Sequence, residues 1–129
     1  MRTKNLFLSL LIALGVLLVG CRTAPVLNIE EAPVSTSAKI TLKDVERAII
    51  RAGTSLGWQM KRQGKGHIVG TLYLRNNMAK VDITFNTKSY NIKYKASQGL
   101  RYDGVNIHSN YNGWIQRLDQ NIQAQLSAI

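Results

Sequence analysis

Residues 79–85, AKVDITF, and residues 90–96, YNIKYKA, decide the fold of this chain. In both segments apolar residues alternate with polar ones, and the apolar positions are Ala79, Val81, Ile83, Phe85, Tyr90, Ile92, Tyr94 and Ala96. A period of two is typical of β-strands that have one buried and one exposed face. Since only four residues separate the segments, we expect them to pair as antiparallel neighbours.

Two more strands are predicted before this pair. Residues 58–61 and 67–75 also have strand character, with Gly64-Lys65-Gly66 as the turn between them and Asn76-Asn77 as the turn that follows. The short connections favour an antiparallel meander of four strands.

A helix is predicted on each side of the four strands. Thr41 can cap the first, Asp44 lies favourably in its first turn, and Gly57 ends it. The second follows Ser109. Residues at helical spacing form the apolar stripes: Leu42, Val45, Ile49, Ala52 and Leu56 in the first, and Tyr111, Ile115, Leu118, Ile122 and Leu126 in the second. We predict a two-layer α+β fold with both helices on one face of the sheet.

The amino-terminal segment indicates export. Residues 1–5 include Arg2 and Lys4, and an almost wholly apolar run extends from residue 6 to residue 19. This is the pattern of a secretory signal, and the run is short for a membrane span, which needs about 20 residues. We interpret residues 1–20 as the signal peptide.

Leu18-Val19-Gly20-Cys21 resembles the lipobox of bacterial lipoprotein precursors. The resemblance implies that a diacylglyceryl group is attached to the sulfur of Cys21, that the signal is cut before Cys21, and that the new amino terminus is acylated. The residue after the cysteine is Arg22 and not aspartate. In this the chain resembles lipoproteins that are sent to the outer membrane and face the periplasm. The alternative is an uncleaved anchor with an incidental cysteine.

Residues 21–39 are interpreted as the lipidated cysteine and a flexible tether. They contain Pro25, Pro33 and a Ser/Thr/Ala run at 35–38, and neither helical nor alternating spacing persists. Residues 40–129 then form one α+β domain. Residues 107–118, together with 81–85 and 90–94, look similar to a family of small, uncharacterised proteobacterial envelope lipoproteins. This resemblance implies a location in the cell envelope and no particular activity.

The net charge and the cysteine content restrict the classes of partner and cofactor that we expect. The chain has 17 basic and 7 acidic side chains, a formal charge of +10, and a basic domain attracts polyanions. An exported protein does not meet the chromosome, so we expect no nucleic acid partner. Lipopolysaccharide, cell-wall carboxylates or an envelope protein are the expected partners. With one cysteine, an internal disulfide and a cysteine cluster for a metal are excluded, and we expect no cofactor besides the lipid.

A basic surface is predicted on the polar side of the sheet. Strand alternation brings to this side the residues Lys61, His67, Tyr73, Arg75, Lys80, Lys93 and Lys95, with Asp82 opposing them. Such a surface attracts anions. The alternative is a solvated face on which lysines maintain solubility and prevent edge aggregation.

An irregular loop is predicted over residues 98–108. The stretch 98–112, which includes the start of the second helix, is the second candidate for partner binding, through Tyr102, His108, Asn110 and Asn112. His108 and Asp103 are the candidates for acid–base chemistry, although a histidine here can instead cap the next helix. Trp58, Tyr111 and Trp114 follow helical or strand periodicity, which predicts core packing.

No catalytic motif occurs, so we expect a non-enzymatic binding or accessory module. The alternatives are a small cell-wall or lipid hydrolase and an architectural subunit of an envelope complex.

Overall fold

The computed structural model describes residues 22–36 and 38–129, and it confirms the α+β class. The interpreted signal peptide and Cys21 lie outside the described residues. The strands are β1 (Thr23–Pro25), β2 (Ile29–Pro33), β3 (Gln59–Gly64), β4 (His67–Leu74), β5 (Asn77–Phe85), β6 (Ser89–Gln98) and β7 (Asn106–His108). The helices are α1 (Leu42–Ser55) and α2 (Ser109–Ser127).

The described strands form a five-stranded antiparallel sheet in the order β2-β6-β5-β4-β3 and a two-stranded sheet of β1 and β7. Within the larger sheet, Ile68 of β4 pairs with Ile83 of β5, and Ile83 pairs with Ile92 of β6. Directly paired residues share a face, and these three are fully buried. The alternation of residues 79–85 and 90–96 therefore sets the buried side of the sheet.

The prediction of a four-stranded sheet is wrong, because β2 pairs with β6 as a fifth strand. The interpretation of residues 22–39 as a flexible tether is wrong for residues 23–33, which contain β1 and β2. A bulge between Ile29 and Ala32, with a positive φ of 52° at Glu31, breaks the alternation that would have indicated β2. The ordered domain thus begins before residue 40.

The prediction of an irregular loop through residue 108 is also corrected, because residues 106–108 form β7. Both β1 and β7 have only three residues, too few to show a period. Their pairing places the start of the described chain beside the start of α2: the amide of Ser109 donates to the carbonyl of Arg22 at 3.0 Å.

The two helices begin as the sequence indicates. Thr41 caps α1 in a reciprocal capping box with Asp44, whose pKa is lowered by hydrogen bonds from the backbone and side chain of Thr41. Buried side chains of both helices and of the sheet belong to one hydrophobic cluster. The helices also contact each other directly, since the side-chain amide of Asn121 donates to the carbonyl of Ala52 at 2.9 Å. Both helices and the sheet therefore contribute side chains to a single core.

The β3–β4 turn requires glycine at position 66. Gly66 has a φ of 72°, and a Cβ added there would lie 2.6 Å from the carbonyl oxygen of Phe85. We predict that Gly66→Ala lowers the free energy of unfolding by about 1–3 kcal/mol, measured by urea denaturation. Gly64→Ala is the matched control, because its added Cβ meets nothing within 4 Å. Equal stability of the two variants would contradict the prediction.

Tyr111 has a hydroxyl that is buried without a hydrogen-bond partner among the described residues, and burial raises its pKa. An unsatisfied buried polar group costs about 1–3 kcal/mol. We predict that Tyr111→Phe raises the denaturation midpoint. Tyr90→Phe should lower it, because the Tyr90 hydroxyl donates to Asp119 and accepts from Gln123. A loss of stability in Tyr111→Phe would show that the hydroxyl is satisfied.

Candidate functional site

The outward side of the five-stranded sheet carries a cluster of cations, which we call the basic sheet face. It consists of Lys61, His67, Lys80, Asp82, Lys93 and Lys95. The strand register brings them together: Val69 pairs with both Lys61 and Asp82, and Asp82 pairs with Lys93. These residues alternate along their strands with the buried apolar side chains, so they point away from the core.

Asp82 is the central residue of the basic sheet face. One of its carboxylate oxygens lies 2.7 Å from Nε2 of His67, and the other accepts a hydrogen bond from Nζ of Lys95 at 3.4 Å. Its side chain is 29% exposed. Four lysines against this one carboxylate leave the face with a formal excess of positive charge. The arrangement can hold an anion by electrostatic attraction and hydrogen bonding from lysine ammonium groups.

Tyr73 and Arg75 lie at the margin of this face. Tyr73 pairs with Met78 near the end of β4, and its side chain is 62% exposed. Arg75 has a φ of 56° and occupies the turn between β4 and β5. Thus five of the seven residues that the sequence grouped together belong to the basic sheet face, and Tyr73 and Arg75 lie toward one end of it.

The four candidates for a partner loop have different surroundings. Asn112 is held internally, because its side chain donates to the carbonyl of Pro25 and accepts from the amide of Leu27, both at 2.9 Å. The ring of Tyr102 packs against Tyr94, with centroids 4.0 Å apart. Asn110 is exposed at the start of α2. The amide of Asn112 therefore fastens the segment between β1 and β2.

His108 has a structural role. It is the N-cap of α2, and its Nδ1 accepts a hydrogen bond from the amide of Asn110 at 3.2 Å. The nearby carboxylate of Asp103 accepts hydrogen bonds from the amides of Asn106 and Val105. These bonds lower the pKa of Asp103. Both candidates for acid–base chemistry are thus engaged by the backbone around them.

Trp58, Tyr111 and Trp114 belong to the hydrophobic core, as their periodicity predicts. Within residues 22–36 and 38–129, no group of three or more His, Cys, Asp and Glu side chains is placed to bind a metal ion. None of the described helices combines the length and apolar character needed to cross a bilayer.

A cleft of about 520 Å³ lies between the start of α1 and the β3–β4 turn. Its lining residues are Leu42, Lys43, Glu46, Arg62, Lys65, Gly66 and Phe85. Arg62 donates to Glu46 across it at 2.8 Å. The cleft could not be predicted from the sequence, since its residues come from α1, two strands and a turn, and no linear spacing relates them.

No protein-family model, curated protein or solved structure matches the chain. A functional assignment therefore depends on the chemistry of the chain's own residues.

Proposed function

We propose that this chain is a lipid-anchored protein of the bacterial cell envelope, bound through Cys21 to the outer membrane and facing the periplasm, that acts as a non-enzymatic binding or accessory module. Residues 1–20 serve as its signal peptide. The basic sheet face holds an anionic envelope component: lipopolysaccharide, cell wall or an acidic protein surface. Three features of the amino-terminal segment support this location: the positive charges of residues 1–5, the apolar run of residues 6–19, and the position of Cys21.

The proposal takes both helices to cover the same face of the sheet, which leaves the basic sheet face open to a partner. Two contacts support this arrangement. Met60 of β3 packs against Gly53 of α1, where an added Cβ would lie only 2.4 Å from the Met60 sulfur. The hydroxyl of Tyr90, on the buried side of β6, bonds to Asp119 of α2. The observation that carries the proposal is the concentration of four lysines around Asp82 on the opposite side.

The direct test uses the natively lipidated protein in vesicles of zwitterionic lipid. Soluble cell-wall fragments, lipopolysaccharide and an acidic protein are titrated separately at about 0.01 M and about 0.15 M salt, where the Debye lengths are about 30 Å and about 8 Å. We expect at least one of these anions to bind, and to bind much more weakly at the higher salt concentration. Absence of binding, or binding that does not respond to salt, would contradict the proposal.

Removing the carboxylate of Asp82 should strengthen anion binding. Asp82→Asn raises the formal charge of the basic sheet face by one and frees His67 and Lys95 from their partner. An exposed charge contact contributes about 0.2–1 kcal/mol, so we expect the dissociation constant to fall by about 1.5- to 5-fold. The matched control is Glu46→Gln, which removes one negative charge from helix α1 and likewise breaks an ion pair, that with Arg62. An equal gain in both variants would indicate a net-charge effect and not a local site.

A further inference from the structure

Large apolar side chains are exposed at one end of the domain. Leu56 and Tyr102 are each 39% exposed, Leu74 is 47% exposed, and Tyr73 and Val105 exceed 60%. We call these five residues the apolar end. Tyr73 and Leu74 are consecutive on β4 and point to opposite sides of the sheet, so the apolar residues are distributed around this end. Exposed apolar side chains that share one end of a domain are candidates for an interaction surface.

Several contacts place these residues at the same end of the sheet. Leu56 and Leu72 line a small cleft together with Trp114, close to the start of α2. Tyr73 and Leu74 end β4, immediately before the β4–β5 turn. A Cβ on Gly99 would touch Asn77 in that region, so the segment that carries Tyr102 and Val105 starts beside this turn.

The first described residues lie at this end as well. β1 begins at Thr23, and Arg22 is hydrogen-bonded to Ser109 at the start of α2. Consecutive Cα atoms are about 3.8 Å apart, so the attachment point of the proposed lipid is one residue away from the folded domain. The rest of this inference depends on the proposed lipid anchor. With β1 and β2 part of the fold, an anchored domain has no long spacer at its attachment point.

Charge at this end favours a lipid surface as the occupant. Four exposed arginines lie at this end: Arg22 bonds to Ser109, Arg75 is in the β4–β5 turn, Arg101 precedes Tyr102, and Arg117 lines the small cleft together with Leu56. The carboxylate of Asp103, also at this end, is occupied by backbone amides. Arginine attracts the anionic head groups of phospholipids. Tyrosine is enriched at the boundary between acyl chains and water, and leucine and valine contribute apolar area that inserts there.

We propose that the apolar end rests on the bilayer that holds the lipid of Cys21. Leu56, Tyr73, Leu74, Tyr102 and Val105 enter the interfacial layer, and the four arginines contact lipid phosphates. The domain is then held in one orientation by two attachments, the acyl chains and the apolar end. The basic sheet face is directed sideways, toward components that extend from the membrane.

The test uses the full chain, lipidated in the cell and reconstituted in vesicles of phosphatidylethanolamine and phosphatidylglycerol. Because attachment of the diacylglyceryl group consumes the thiol of Cys21, a cysteine introduced by Val105→Cys is a unique site for a bimane probe. Thr87→Cys, in the turn between β5 and β6 at the opposite end, is the matched control. Brominated phospholipids in the vesicles quench a probe only when it lies close to the acyl chains.

We expect the probe at position 105 to be quenched several-fold more strongly than the probe at position 87. If the protein co-migrates with the vesicles in a flotation gradient and carries fatty acid, but neither probe is quenched, the lipid anchor is supported and the proposed orientation is refuted. Equal quenching at both positions also refutes it. If the protein neither floats nor carries fatty acid, the anchor and the orientation fail together. If the probe at position 105 is not quenched by brominated lipid but becomes protected from a water-soluble quencher when bacterial membrane proteins are added, this end binds a protein and the proposal is overturned.

Discussion

Replacing Cys21 with serine is expected to abolish fatty-acid incorporation and leave residues 1–20 attached. The thioether to diacylglycerol requires a thiol, and the cut before residue 21 requires the lipidated side chain according to the lipobox resemblance. The proposed anchor is expected to be strong, because each buried methylene contributes about 0.8 kcal/mol and the lipobox resemblance implies more than one acyl chain. Incorporation of labelled palmitate, together with the electrophoretic mobility of the protein, measures both steps.

A relocated thiol provides the control for this experiment. In the double variant Cys21→Ser/Ser35→Cys the chain again has a single cysteine, now outside the lipobox. We expect no palmitate on it, because the modification depends on the position of the thiol. The assignment of Cys21 would be contradicted if Cys21→Ser incorporated palmitate, or if this variant had the same amino terminus as the wild-type protein.

Neutralising the lysines of the basic sheet face should cause the largest loss of anion binding. The variant changes Lys61, Lys80, Lys93 and Lys95 to glutamine, which leaves the core residues on the opposite side untouched. At about 0.2–1 kcal/mol for each exposed contact, the total loss is about 1–4 kcal/mol, or about fivefold to a thousandfold in the dissociation constant. The measurement is the same titration with cell-wall fragments and lipopolysaccharide in zwitterionic vesicles.

The matched control removes four positive charges from another surface. Lys39, Lys43, Arg47 and Arg51, on and just before α1, are exposed and are changed to glutamine together. Both variants have the same net charge, so a difference between them measures the local contribution of the basic sheet face. Equal losses of affinity in the two variants would show that binding follows net charge. Unaltered affinity in the variant of the basic sheet face would exclude this face as the binding site.

The basic sheet face could be predicted from the sequence because period-two alternation determines which side chains share a side. The buried positions Val81, Ile83 and Ile92 fix the inward face, and their polar neighbours must then point outward. The interaction of His67 with Asp82 was not predictable. It depends on the register between β4 and β5, in which His67 pairs with Thr84 two residues from Asp82.

The amino-terminal strands were missed because their stabilising contacts are distant in sequence. Glu31 donates its amide to the side chain of Asn91, and Leu27 donates to Asn112. Neither contact leaves a periodic signal in residues 22–39, where Pro25 and Pro33 instead suggest a tether. The apolar end was missed for the same reason, since Leu56, Leu74 and Val105 come from three separate parts of the chain.

The most direct measurement is the mass of the amino-terminal peptide of the protein extracted from native membranes. The account predicts a peptide that begins at Cys21 and carries a diacylglyceryl group on sulfur together with an acyl group on its amine. A peptide that begins at Met1, or an unmodified cysteine at position 21, would contradict the proposed anchor and the orientation that depends on it.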